Sequence, residues 1–181
     1  VYSRDGHFLL HSSRAEQAEL AARLSAAGLH VNLPGDTVRV MSCDFCELRK
    51  DQGRETAVRL HKLLHGQTVP RELHISVAGC GMACSSAVLE DIGVVYTRGS
   101  YELYLGGKKT GRGAHAGSRV RSGMSEDEAV AAVAEVVGQY REHAGRARSF
   151  TPFLRTNPGT CPEQGLLNKR AAPPAAKRRT A

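Results

Sequence analysis

His74-Ile75-Ser76-Val77-Ala78-Gly79-Cys80-Gly81-Met82-Ala83-Cys84 decides the reading of this chain. An apolar run of strand character ends in a glycine and then in two closely spaced cysteines, so a buried strand passes its backbone to a loop carrying two thiols. A second pair stands upstream at Cys43-Asp44-Phe45-Cys46, directly after another strand pattern, Thr37-Val38-Arg39-Val40-Met41. Two thiolates per loop, brought together by a chain that folds back on itself, can close four positions around a zinc ion or a cubane iron–sulfur cluster. Spacing alone leaves both open, and four thiolates on zinc would make a closed structural site.

Composition narrows the class. The 181 residues suffice for one substantial domain or a small lobe joined to a larger one. No apolar run approaches the roughly 20 residues of a membrane span, and no charged-then-apolar leader opens the chain, so a soluble, cytoplasmic protein is expected. The formal charge is +7, but Lys169, Arg170, Lys177, Arg178 and Arg179 supply five of those charges, leaving +2 elsewhere. That Ala/Pro/Lys/Arg tail has almost nothing to bury and reads as disordered. With no Trp and few Phe or Tyr to stack on bases, nucleic acid is not an expected partner. Four of the five cysteines are paired at ligand-like spacing, which fits a disulfide framework poorly. The fifth, Cys161, reads as an ordinary loop cysteine.

Local signals give an α+β order. His7–His11 has strand character, and Ser13-Arg14-Ala15-Glu16 is a capping-box pattern before a helix whose Leu20, Leu24 and Ala27 share a face. Gly28 sits where a left-handed helix cap is wanted. Pro34-Gly35-Asp36 is a turn before the strand at 37–41. A helix over 54–65 puts Ala57, Leu60, Leu63 and Leu64 on its apolar side, and strands are expected at 73–78, 92–97 and 101–105. A helix is expected near Ser85 to Leu89, its free amides favouring thiolate charge. Ser125-Glu126-Asp127-Glu128 is a second capping box, opening a helix with Val130, Val133, Val137 and Tyr140 on its core side.

Three segments together carry a family resemblance: the Gly79-Cys80 to Cys84 run, Asp91-Ile92-Gly93, and Tyr101-Glu102-Leu103-Tyr104-Leu105-Gly106-Gly107. They resemble the cluster-and-sirohaem domain of the sulfite and nitrite reductases. Phe45-Cys46-Glu47-Leu48 looks like the end of that family's first cysteine pair, residues 3–32 resemble its small ferredoxin-like lobe, and Val133 to Phe153 resembles its closing helix. The implied architecture is a ferredoxin-like half-lobe over residues 1–36, a cluster- and sirohaem-binding α/β domain over 37–156, and an irregular basic tail over 157–181.

The resemblance also implies a site. Cys43, Cys46, Cys80 and Cys84 would hold a 4Fe–4S cluster, with Cys84 bridging to a sirohaem iron as the catalytic sulfur. Lys108, Lys109 and Arg112 occupy the loop that in the family helps hold sirohaem carboxylates. His74 is a candidate catalytic cation or proton donor, and His115 and Arg4 are weaker ones. The expected activity is reduction of sulfite or nitrite with electrons from a ferredoxin-like donor, and a precorrin-modifying relative with a similar cluster domain is also in view. The other readings are an electron-transfer or assembly subunit without its own substrate site, and a structural zinc protein. This chain departs from the family in two places: the first cysteine pair is closer, and Gly81-Met82-Ala83 replaces a sequence with a polar residue beside the sirohaem. Complete family enzymes carry two copies of the unit, so a homodimer or a partner subunit is expected to cover the cofactor face here.

Overall fold

The computed structural model describes residues 8, 10–29, 31, 35–43, 50–64, 66–145 and 149–160. The chain divides into two compact units, Val1–Leu33 and Pro34–Ala181. Of the strand expected at His7–His11, His7 and Leu9 lie outside the described residues, Phe8 makes an isolated bridge, and Leu10 and His11 are not in a strand.

In the first unit, α1 spans Gln17–Ala26. The Ser13 amide and hydroxyl both donate to the Glu16 carboxylate, at 3.2 and 2.8 Å, so only the acidic half of the expected capping box forms. Those hydrogen bonds hold the Glu16 carboxyl below its usual range, and the helix begins just after it. At the other end the Gly28 amide donates to the Ser25 carbonyl at 3.0 Å and the Leu29 amide to the Leu24 carbonyl at 3.0 Å, with Gly28 at φ +80°. That pair of bonds is a Schellman cap, which a side chain at Gly28 would oppose.

The second unit is built on a five-stranded sheet in sequence order: β1 Val38–Ser42, β2 Leu73–Ala78, β3 Ile92–Thr97, β4 Ser100–Leu105 and β5 Ser118–Met124. β1, β2 and β3 run parallel, and β4 and β5 return antiparallel. α2, Lys50–Leu64, makes the crossover from β1 to β2, and the crossover from β2 to β3 contains only a short 3-10 turn, Ala87–Leu89. The helix expected near Ser85 to Leu89 is therefore replaced by one tight turn, too short to present a row of free amides. Arg98 and Gly99, both at positive φ, close the β3–β4 hairpin as a two-residue loop whose twist suits the flanking strands.

β2 is buried at every position but His74, as expected for a central strand covered on both faces. β4 alternates, with Tyr101, Leu103 and Leu105 buried. Against the sheet pack Ala57, Leu60 and Leu64 of α2 and a buried face of α3, Glu126–His143, that includes Val130, Val133, Val137 and Tyr140. Leu63 falls off that face and is about half exposed. The second capping box forms in full: the Glu128 amide donates to the Ser125 hydroxyl and the Ser125 amide to the Glu128 carboxylate at 2.7 Å. A buried polar knot joins α2, β4 and α3, where the Thr56 hydroxyl lies 2.9 Å from the Tyr101 hydroxyl and 3.2 Å from the Glu126 carboxylate.

The short helix α4, Phe150–Thr156, closes the core with an aromatic cluster. Tyr140 meets Phe150 and Phe153 edge-on, with ring centroids 5.3 and 5.2 Å away. Phe153 is fully buried, and Phe153→Ala is expected to cost about 3–5 kcal/mol in urea unfolding, the range for deleting a core aromatic ring. A loss below about 1 kcal/mol would show that the cluster is not packed as described.

Candidate metal centre

Parallel pairing of β1 and β2 brings the two cysteine segments to one end of the sheet. The register sets Ser42 beside Val77, and the next residue, Cys43, donates its amide to the Val77 carbonyl at 3.3 Å. Cys43 is buried, while Cys80 follows two residues beyond the end of β2 and is half-buried. The first turn of α2 returns onto the same place, because a Cβ on Gly53 would lie 2.6 Å from the Gly79 nitrogen. Both cysteine segments thus leave from the carboxyl ends of adjacent parallel strands, where open sheets place ligands.

Beyond Cys80 the backbone turns sharply. The Ala83 amide donates to the Cys80 carbonyl at 3.1 Å and the Ser86 amide to the Ala83 carbonyl at 2.9 Å, with Ala83 and Ser86 at φ +47° and +60°. Left-handed alanine costs about 1 kcal/mol, so tertiary contacts must hold it. They include the Ser76 hydroxyl donating to the Ser85 carbonyl at 3.0 Å, and the Ser85 hydroxyl donating back to the Val77 carbonyl at 3.3 Å. Cys84 is exposed, as is Met82. Cys80 and Cys84 are free thiols. Among the described residues no three His, Cys, Asp or Glu side chains form a group able to hold a metal ion, and Cys46 and Cys161 lie outside them. Cys43 and Cys80 lie just beyond the ends of β1 and β2, and Cys84 in the crossover that follows, so the thiol donors there are of the kind a soft metal centre takes.

The glycine motifs seat that crossover. The Gly106 amide donates to the Asp91 carbonyl at 2.8 Å and the Gly107 amide to the Glu90 carbonyl at 3.0 Å. A Cβ on Gly107 would lie 2.5 Å from that Glu90 oxygen, and one on Gly93 would lie 2.1 Å from the Ala87 carbonyl oxygen. Asp91-Ile92-Gly93 and Leu105-Gly106-Gly107 are thus where the segment carrying Cys80 and Cys84 lies flat on β3 and β4.

His74 and the basic loop belong to a different constellation. His74 opens β2 near its amino end, six positions before Cys80 and so about 20 Å along an extended chain. Its Nδ1 is 3.5 Å from Glu90, which is only 5 % exposed, and its Nε2 is 3.5 Å from Glu72. Glu72 also pairs with Arg39 of β1, and Glu90 with the Lys109 ammonium at 3.1 Å. The His74 amide donates to the Asp91 carboxylate at 3.1 Å. The bond to Glu90, reinforced by Glu72 and Asp91, raises the His74 pKa despite burial, and burial raises that of Asp91. His74 and Lys109 oppose the burial of Glu90 and hold its carboxyl below the usual range. Lys108, Lys109 and Arg112 are all exposed, and Lys108 exchanges two backbone hydrogen bonds with His115 across the loop. Arg4 lies outside the described residues. Glu90 was missed in the sequence; its signal is an acid pair, Glu90-Asp91, set directly before a strand whose first four residues are buried.

Residues 41–150 match the nitrite and sulphite reductase 4Fe-4S domain. The chain belongs to that family. It is 35 % identical over 154 residues to a cobalt-factor III methyltransferase of Priestia megaterium, covering 85 % of this chain and 28 % of that protein. It is 27 % identical over 138 residues to a nitrite reductase [NAD(P)H] of Bacillus subtilis, covering 74 % of this chain and 17 % of that one. An assimilatory-type sulfite reductase of Nitratidesulfovibrio vulgaris is 26 % identical over 89 residues, covering 49 % of this chain and 40 % of that protein. The solved NirA protein of Mycobacterium tuberculosis shares the fold, with a TM-score of 0.54 at 20 % identity, over 81 % of this chain and 30 % of that one. The α+β class, sheet and helices agree with that reductase fold. Membership in a 4Fe-4S domain family supports an iron–sulfur cluster. The chain spans well under half of each of these relatives, and no helix among the described residues is long and apolar enough to cross a membrane.

Proposed function

We propose that Cys43, Cys46, Cys80 and Cys84 hold a 4Fe–4S cluster and that this domain supplies electrons to an enzyme working on a metal-bearing tetrapyrrole, without an oxyanion site of its own. The observation that carries this reading is the separation between the cysteine loops and the cations. Cys43 and Cys80 stand at the carboxyl end of β1 and β2, whereas His74 lies at the amino end, and Lys109 is already paired with the buried Glu90. Reduction of a bound oxyanion would call for several cations gathered at one reacting centre. The likeness to a cobalt-factor III methyltransferase along most of this chain supports a module serving chemistry located elsewhere.

Such a centre supplies one-electron transfer. Buried Cys43 would shield its side of the site from water, and exposed Cys84 would be the contact from which electrons leave. The tight turn at Ala83 and Ser86 would fix the separation of Cys80 and Cys84 before any metal arrives.

A second reading follows from the family and its reductase members: a sirohaem-dependent reductase of sulfite or nitrite using a ferredoxin-like donor. Exposed Lys108, Lys109 and Arg112 would take sirohaem carboxylates, Cys84 would bridge to the iron, and a second copy or partner subunit would cover the cofactor face. Anaerobic purification followed by visible spectroscopy and addition of sirohaem separates the two. The first reading expects a broad brown absorption, iron and sulfide in equal amounts, no Soret band after sirohaem is added, and no reduction of sulfite or nitrite by a strong donor. A stoichiometric Soret band with turnover would replace it by the second, and colourless protein holding one zinc would overturn both.

A further inference from the structure

Gln52 stands in the first turn of α2 with its side-chain oxygen buried and, among the described residues, without a hydrogen-bond partner. Its main chain is well held: the Gln52 carbonyl lies 2.9 Å from the Thr56 hydroxyl and 3.4 Å from the Tyr101 hydroxyl, both able to donate to it. The backbone is thus anchored within α2 and to β4, while the carboxamide has nothing in the fold to bond. A polar atom kept from water without a partner costs free energy, so a folded protein that keeps one calls for an explanation. We propose that the Gln52 carboxamide serves the centre held by Cys43, Cys46, Cys80 and Cys84, donating an N–H hydrogen bond to one of its sulfurs and raising its reduction potential. The inference rests on the cluster reading given above and adds to it a positioning residue outside the cysteine segments.

The fold puts this residue beside the cysteines. Because α2 follows β1, its amino end stands at the carboxyl end of the sheet, where Cys43 and Cys80 stand. The helix touches the second cysteine segment there, since a Cβ on Gly53 would lie 2.6 Å from the Gly79 nitrogen and 2.8 Å from the Gly79 Cα. Gln52 precedes Gly53 and Cys80 follows Gly79, so each is one residue, about 3.8 Å along the chain, from that contact. Side chains on a helix lean toward its amino end, which for Gln52 is the cysteine end. β3 and β4 close the same corner: Tyr96 meets Tyr101 with ring centroids 5.0 Å apart, and a Cβ on Gly81 would lie 3.2 Å from the Thr97 hydroxyl. The chemistry gives the direction of the effect. A half turn about the soft terminal bond of a carboxamide puts its N–H donors where its oxygen was. Thiolate and sulfide sulfurs accept such bonds, and a donor there favours the reduced centre, which carries one more negative charge.

Anaerobic redox titration of the cluster-loaded protein, followed by EPR, tests it in the wild type, Gln52→Leu and Gln52→Glu. Leucine keeps much of the bulk and has no donor, so its cluster is expected to be about tenfold harder to reduce, a potential about 59 mV lower for one electron. Gln52→Glu, at a pH that keeps the carboxylate ionised, puts a negative charge in place of the donor and should lower the potential further. Electron–nuclear double resonance of the reduced wild type should show a coupling to an exchangeable proton that Gln52→Leu lacks. Without metal, Gln52→Leu should unfold at a urea concentration at or above that of the wild type, because it removes an unpartnered oxygen from the interior. A full cluster with the same potential in the wild type and Gln52→Leu would overturn the inference and leave the cluster reading intact. A metal-free Gln52→Leu protein that unfolds earlier would overturn it too, since the carboxamide would then already serve the fold. A wild type that takes up no iron and sulfide would remove the cluster reading and the inference together.

Discussion

Cys84→Ser is expected to abolish retention of iron and sulfide while leaving the unfolding of the metal-free protein almost unchanged. Cys84 is exposed, and a surface change from thiol to hydroxyl alters stability by no more than about 0.5 kcal/mol. Serine is a poor ligand for a soft metal centre because its hydroxyl does not ionise at neutral pH, so a site with three thiolates would lose its closure. Cys80→Ser should behave alike. Cys43→Ser should lose the cluster and also destabilise the metal-free fold, since it places a hydroxyl in a position that is 2 % exposed, at about 1–3 kcal/mol if the group finds no partner. Cys161→Ser is the control and should retain full occupancy. Iron and sulfide assays alongside thermal melts separate the ligand effect from the folding effect. Full occupancy in the Cys84 or Cys80 variant would remove the proposed four-cysteine assignment.

The parts of the fold that could be read from the sequence are those fixed by local chemistry. Ser125 and Glu128 carry the whole of their capping box within four residues, and the strand patterns at 73–78 and 92–97 coincide with β2 and β3 because Leu73, Ile75 and Val77 alternate with other residues and Ile92, Val94, Val95 and Tyr96 are β-branched or aromatic. β5 was not expected. Its sequence, Ser118-Arg-Val-Arg-Ser-Gly-Met124, buries only Val120 and Met124, since it is an edge strand with one face toward water and an irregular register against β4. The helix expected near Ser85 failed for a related reason: the crossover is flattened onto β3 and β4 by close backbone contacts, which no helical periodicity reports. The cysteines announced a site through their spacing, but the distance between His74 and Cys80 along β2 depends on the sheet. The sharing of Glu90 by residues from separate elements depends on tertiary packing in the same way.

Gly93→Ala is expected to be the most destabilising single methyl addition in this chain. A Cβ there would stand 2.1 Å from the Ala87 carbonyl oxygen, 2.7 Å from its carbon and 3.4 Å from the Tyr104 Cβ. None of these can swing aside as the tip of a long side chain would. Gly93 is held in β3 between β2 and β4, paired with Ser76 on one side and Tyr104 on the other, so the strand cannot retreat. The crossover must lift instead, and it is bound from the opposite direction by the Gly117 amide donating to the Val88 carbonyl at 2.7 Å. Overpacking in a well-filled core costs about 1–3 kcal/mol and sometimes more, and two rigid backbones in opposition put this site at the upper end. Because the displaced segment carries Cys80 and Cys84, cluster content should fall together with stability. Gly138→Ala supplies the contrast, for that glycine lies inside α3 with nothing within 4 Å of the new methyl group. It should stabilise the protein by about 0.5–1 kcal/mol through helix propensity alone. Urea unfolding of both variants gives a signed pair of results. A Gly93→Ala protein as stable as the wild type would mean that the crossover does not rest on β3, and the placement of the segment that carries Cys80 and Cys84 would lose its support.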